Sequence, residues 1–88
     1  MTQVNLKVYV SEDCWSCLET RRLVETVLPA FPQVALTWVA LGERPFPEHV
    51  FAVPTYALEG EVVFLGNPKQ SELMRRLERA VSHRASAA

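Results

Sequence analysis

Two hydrophobic rhythms alternate along this chain. Val4-Asn5-Leu6-Lys7-Val8 places an apolar residue at every second position, and Tyr9 and Val10 continue the run without a polar break. A period of two in a stretch rich in β-branched and aromatic residues predicts a strand over residues 4–10. Ser11-Glu12-Asp13 then supplies helix-capping side chains, and the rhythm changes. Thr20, Val24, Val27 and Leu28 recur at i, i+4, i+7 and i+8, while Glu19, Arg21, Arg22 and Glu25 fall mostly on the other side. That is the stripe of an amphipathic helix, and Pro29 and Pro32 end it. Val34 to Leu41 is again β-rich and apolar on both faces, which predicts a strand inside the sheet, with Trp38 in the core. Strand, helix and strand in this order form a βαβ unit, so the two strands are expected to run parallel.

Gly42 to Val53 contains Pro45 and Pro47 and reads as a loop, with one short helical turn near residues 48–51. Thr55-Tyr56-Ala57-Leu58 and Val62-Val63-Phe64-Leu65 are two short strands, and Glu59-Gly60-Glu61 between them is short enough for a hairpin. Asn67-Pro68-Lys69-Gln70 reads as a helix start, with Asn67 at the N-cap, Pro68 at the first helical position and Gln70 three residues after the cap. Ser71 is the alternative cap. Leu73, Leu77, Ala80 and Val81 form the apolar stripe of this last helix. Arg75, Arg76 and Arg79 lie mainly off it, as a solvated face or a basic patch. Residues 82–88 are small and polar and read as a loose tail behind a single domain over residues 1–81. The expected fold is α/β, in the order β-α-β-β-β-α: a four-stranded mixed sheet covered by helices.

Length and composition narrow the function. Eighty-eight residues leave room for one core only. A hydrophobic fraction of 49% with 22% charged residues is that of a folded domain. A net charge of −1 gives no electrostatic reason to expect nucleic acid or an anionic membrane surface as a partner. No apolar run approaches the roughly 20 residues that span a bilayer. Met1-Thr2-Gln3-Val4-Asn5 lacks the basic start and long apolar stretch of a secretory signal, so as written the chain reads as cytoplasmic. Two cysteines are too few for a disulfide-stapled scaffold.

Those two cysteines stand three apart, as Cys14-Trp15-Ser16-Cys17, where the first strand gives way to the first helix. In the first turn of a helix, residues at this spacing have Cβ atoms about 5–6 Å apart. A disulfide needs Cα atoms roughly 4.4–6.8 Å apart, so a bridge closes and reopens with little backbone movement. Unpaired N–H groups and the dipole at the helix N-terminus favour thiolate over thiol at Cys14. Since thiolate is the nucleophile, Cys14 is the expected attacking residue, and Cys17, one turn inside, the resolving one. Two readings compete. The pair can be buried cysteines packing as small hydrophobes, or two soft ligands for an ion such as Cu(I). Zinc fits poorly, since structural sites usually take four Cys/His ligands and the only further candidates are His83, in the expected loose end, and His49, which has no ligand-like spacing to anything. Glu12 and Asp13 oppose the thiolate by like-charge repulsion, Arg21 and Arg22 offset them in part, and the balance points to a reductant or modest exchanger. The alternative is that the two acids simply cap the helix.

A strand, then C-x-x-C opening a helix, then Val53-Pro54-Thr55 leading into a hairpin and a final helix resembles the thioredoxin superfamily over residues 4–81. The resemblance implies a thioredoxin-like fold, a cis Val53–Pro54 bond with Pro54 against the two sulfurs, and pairing of substrate backbone with Val53. Trp15 and Ser16 between the cysteines, with Val53, Pro54 and Thr55, make up the expected substrate-binding set. Trp15 is either a contact platform or folded over the bridge, and Tyr56 lines either the groove or the sheet face. There are departures. Thioredoxins carry W-C-G-P-C and a buried carboxylate six residues before the first cysteine, where this chain has Val8. Glutaredoxins often carry a basic residue before C-P-Y-C and a Gly-Gly pair after the hairpin that helps hold glutathione, where this chain has Glu12-Asp13 and Gly66-Asn67. The compact length is closer to a small glutaredoxin-like member.

The reading is therefore a monomeric thiol-disulfide oxidoreductase with a Cys14/Cys17 dithiol. It requires no bound cofactor and no metal; glutathione stays open as a ligand, without support from the sequence. Expected partners are a disulfide-containing protein or small thiol substrate and a reductase or low-molecular-weight thiol for recycling; nucleic acid and membrane are not expected. The alternative is a non-enzymatic thioredoxin-fold module that binds a soft metal ion or a redox-regulated protein.

Overall fold

The computed structural model describes residues 3–11, 16–41 and 53–87. Glu12, Asp13, Cys14, Trp15 and the expected loop of residues 42–52, with Phe46 and His49, lie outside them. The described elements are β1 (Val4–Ser11), α1 (Ser16–Val27), a 3-10 turn (Leu28–Ala30), β2 (Val34–Leu41), β3 (Thr55–Leu58), β4 (Glu61–Leu65) and α2 (Gln70–Ala87). The four strands form one sheet in the order β2-β1-β3-β4. β1 and β2 run parallel, with Val4 opposite Val34 and Ser11 opposite Leu41. β3 runs antiparallel to β1, with Leu6 opposite Leu58 and Tyr9 opposite Thr55.

The alternation in β1 sorts its side chains cleanly. Val4, Leu6 and Val8 enter a core with Val24 and Val27 of α1, Tyr56 and Leu58 of β3, and Leu73 and Leu77 of α2. Both helices thus cover one face of the sheet. The other face carries a smaller cluster around Tyr9 and Ala57, flanked by Val39, Leu41 and Val53. This explains why β2 reads apolar on both faces although it lies at an edge of the sheet, where the sequence predicted an interior strand. Leu36 and Trp38 pack on one face, Val39 and Leu41 on the other. Side-chain pattern reports what covers each face, whereas edge position depends on backbone pairing, which β1 and β3 take for themselves.

Two boundaries differ from expectation. The hairpin turn is Glu59-Gly60 alone, both with positive φ (51° and 82°), the conformation of a two-residue type I′ turn, so Glu61 already belongs to β4. α2 runs on to Ala87 through residues expected to form a loose tail. No Gly or Pro interrupts residues 82–87, alanine and arginine favour helix, and Arg84 is held from two sides. Its Nε lies 3.1 Å from Glu59 Oε1 and its Nη2 donates to the Gln3 carbonyl at 3.3 Å. Of the three arginines off the α2 stripe, Arg75 and Arg79 are exposed and Arg76 is half-buried.

Candidate functional site

β1 ends at Ser11, β3 begins at Thr55 opposite Tyr9, and α1 begins at Ser16, five positions after Ser11. The start of α1 and the cis-proline strand therefore meet the same end of the sheet. Ser16 opens α1. Cys17 follows it in the first turn, half-buried, with its sulfur in a disulfide. Leu18, next in sequence, is 75% exposed. On the strand side the Val53–Pro54 bond is cis. Val53 is half-buried, and Pro54 and Thr55 are fully buried. The Gly66 N–H donates to the Pro54 carbonyl at 2.8 Å, from a residue at φ +87°, a conformation that suits glycine. Of the expected site residues, Ser16, Cys17, Val53, Pro54 and Thr55 are placed at this end; Cys14 and Trp15 lie outside the described residues.

Next to Gly66 stands a group that sequence reasoning assigned elsewhere. Asn67 was the expected helix cap, yet α2 begins later. The Lys69 carbonyl accepts the first helical bond from Leu73 N–H (3.0 Å), and Glu72 Oε1 accepts from Lys69 N–H (3.0 Å). The Asn67 carboxamide is committed to other partners: Oδ1 accepts from the Thr20 hydroxyl at 2.6 Å and from the Tyr56 hydroxyl at 2.9 Å. Both donors are completely buried. Thr20 reads from sequence as one more position of the apolar stripe, and Tyr56 as undecided; the structure puts both in the core with their hydroxyls paired. Burial pushes the Tyr56 hydroxyl up to about 12, the neighbouring Thr20 hydroxyl pulling weakly the other way. The Tyr56 ring also meets its cross-strand neighbour Phe64 edge to face at 6.0 Å.

The arginines expected to temper Glu12 and Asp13 have other partners. Arg21 lies over the Trp38 ring at 5.5 Å, and Arg22 faces Glu19 at 3.7 Å in an exposed pair. Among the described residues, no three His, Cys, Asp or Glu side chains gather where a metal ion would be held. No helix among them is long and apolar enough to cross a membrane.

Solved structures share this architecture. A thioredoxin-like protein from Bacillus cereus superposes with a TM-score of 0.68 at 22% identity, over 89% of this chain and 88% of that one. The oxidized form of mitochondrial thioredoxin 3 from Saccharomyces cerevisiae superposes with a TM-score of 0.71 at 17% identity, over 90% and 80%. The fold is thioredoxin-like. In sequence, the chain is 28% identical over 83 residues to a thioredoxin from Methanocaldococcus jannaschii, spanning 90% of this chain and 98% of that protein. No protein-family model matches. Within the thioredoxin-like frame, Val8 pairs across the strands with Tyr56, so the position that resembles the thioredoxin carboxylate neighbours a buried phenol in this chain.

Proposed function

We propose that this protein is a cytoplasmic, monomeric thiol-disulfide oxidoreductase in which Cys14 and Cys17 are the two sulfurs of the cycle. One observation carries the reading. Cys17 lies in the first turn of the helix behind β1, its sulfur in a disulfide, at the end of a thioredoxin-like sheet where a cis-proline opens β3. The chain has two cysteines, and in this reading Cys14 is the second sulfur of the pair. The Cys14 thiolate attacks one sulfur of a substrate disulfide, and the other leaves as a thiolate that takes a proton from water. The Cys17 thiolate then attacks the Cys14 sulfur of the mixed disulfide and expels the second substrate thiol. Two electrons pass to the substrate, and the protein is left with the Cys14–Cys17 bridge. A reductase or low-molecular-weight thiol restores the dithiol. No bound cofactor is needed, since the sulfurs carry the electrons.

Substrate backbone pairs beside Pro54 at Val53, and Trp15, Ser16 and Thr55 complete the contact surface, with the exposed Leu18 offering an apolar contact to a protein substrate. The test is a redox titration in graded thiol/disulfide buffers, with alkylation and mass counting of free thiols. A single two-electron transition between roughly −120 and −280 mV, together with insulin reduction lost in Cys14→Ser, is the expected result. Cysteines that never join, or a bridge that resists reduction below about −300 mV, would remove the enzyme reading and leave a binding module.

A further inference from the structure

We infer that the groove between β4 and α2 binds a diphosphate group through the guanidinium groups of Arg75, Arg76 and Arg79. The groove is a cavity of about 200 Å³ lined by Phe64, Glu72 and these three arginines. It lies at the β4 edge of the sheet, one strand beyond β3, and is independent of the cysteine chemistry proposed above.

The three arginines differ from the others in being left unpaired. Among the described residues, every other arginine has a partner: Arg21 lies over the Trp38 ring, Arg22 faces Glu19 and Arg84 pairs with Glu59. Arg75, Arg76 and Arg79 join no ion pair there. Spacing does not explain this. Glu72 stands four residues before Arg76 and Glu78 three after Arg75, both pairing distances on a helix, yet neither pair closes. The Glu72 carboxylate instead accepts from the Lys69 N–H at 3.0 Å, at the start of α2. Arg79 meanwhile stands one turn beyond both Arg75 and Arg76, where like charges repel. Three cations therefore crowd one cavity in a chain whose net charge is −1.

The lining selects the ligand. A guanidinium offers a planar fork of N–H donors that matches two oxygens of a phosphoryl or carboxylate group. Three forks around one cavity exceed what a single small monoanion accepts, and a diphosphate brings both the oxygens and the charge to meet them. Half-buried Phe64 gives the groove an apolar wall, beside which charges are less well screened than in water. The volume limits size. It falls below the roughly 300–1,000 Å³ of pockets for drug-sized ligands, so the diphosphate fits inside and a nucleoside attached to it extends outside. Glu72 opposes the ligand by its charge.

The test is calorimetric titration in about 0.15 M salt with inorganic pyrophosphate, ADP and, at matched ionic strength, sulfate. Pyrophosphate is expected to bind saturably with a Kd below about 1 mM, and sulfate about tenfold more weakly. Arg76→Gln, at the half-buried position, should weaken pyrophosphate about tenfold, and Arg75→Gln or Arg79→Gln about threefold. Arg76→Lys keeps the charge but loses the fork, and should still cost about threefold. Glu72→Gln keeps an acceptor for the Lys69 N–H and should tighten binding about threefold. The ADP arm identifies the source: tighter binding than pyrophosphate points to a nucleoside diphosphate, equal or weaker binding to the free anion. No saturable pyrophosphate binding, sulfate binding as tightly, or an affinity unchanged when all three arginines are changed to Gln would each overturn the inference and leave a solvated helix face. Should that triple variant not fold, the NMR signals of the Phe64 ring in wild type carry the test, since saturating pyrophosphate must shift them and unmoved signals overturn the site.

Discussion

Two polar clusters hold opposite ends of the same sheet. At the hairpin end, Glu59 N–H donates to the Asn5 carbonyl, the Asn5 amide reaches the Glu59 carboxylate at 3.4 Å, and Arg84 pairs with that carboxylate at 3.1 Å. The cluster is charged, and its ion pair stands in water, with the two side chains 48% and 34% exposed. At the other end, Thr20, Tyr56 and Asn67 carry no charge, and the two hydroxyls are completely buried. Charge suggests that the first is the stronger fastening; burial says the reverse. An exposed ion pair gains little because water serves each partner nearly as well. A buried hydroxyl is cut off from water, so removing an acceptor from it carries a desolvation cost.

The widest separation between the two ends is expected in alkali. In the unfolded chain a tyrosine ionises near pH 10, while folded Tyr56 is pushed up to about 12 by burial. Between these values the unfolded state releases its proton first. The stability that neutral Tyr56 contributes is complete below pH 10 and is lost as pH rises through 12, on the order of 2–3 kcal/mol. Urea unfolding of wild type and Tyr56→Phe from pH 9 to 12 reads this as a slope present only in wild type; parallel curves would break the comparison. Asn67→Ala at neutral pH should cost the oxidised protein about 2 kcal/mol, and Tyr56→Phe about 1 kcal/mol, since the latter leaves Thr20 paired. Arg84→Ala comes last, at about 0.5 kcal/mol in dilute buffer and nothing measurable in about 1 M salt, where screening has removed the attraction. A salt-insensitive Arg84→Ala larger than Asn67→Ala would invert the comparison.

The layout of the fold was legible because it rests on patterns of two and 3.6. Val4, Leu6 and Val8 point to one face, and Val24, Val27, Leu73 and Leu77 meet them there. Glycine at the hairpin and proline before β3 marked the turns. The misreading next to the site has one cause, which is a side chain able to do two things. Asn67 has every qualification for an N-cap and serves instead as an acceptor for residues 47 and 11 positions away in sequence. Thr20 occupies an apolar-stripe position and is buried there with its hydroxyl donating to Asn67. The placement of Cys17, Val53, Pro54 and Thr55 at one end of the sheet was legible from their position between elements. Asn67, Thr20 and Tyr56 were not, since only the folded chain brings the three together.

Asn67 also bears on how the molecule ages. Asparagine decays to aspartate chiefly when the backbone nitrogen of the following residue attacks its carboxamide, a ring closure that starts from a peptide N–H. The following residue here is Pro68, whose nitrogen has no hydrogen to give up. The carboxamide shared by Thr20 and Tyr56 is thereby spared the usual chemical clock of an exposed asparagine, and the fastening between helix and strand keeps its neutral amide over the lifetime of the protein.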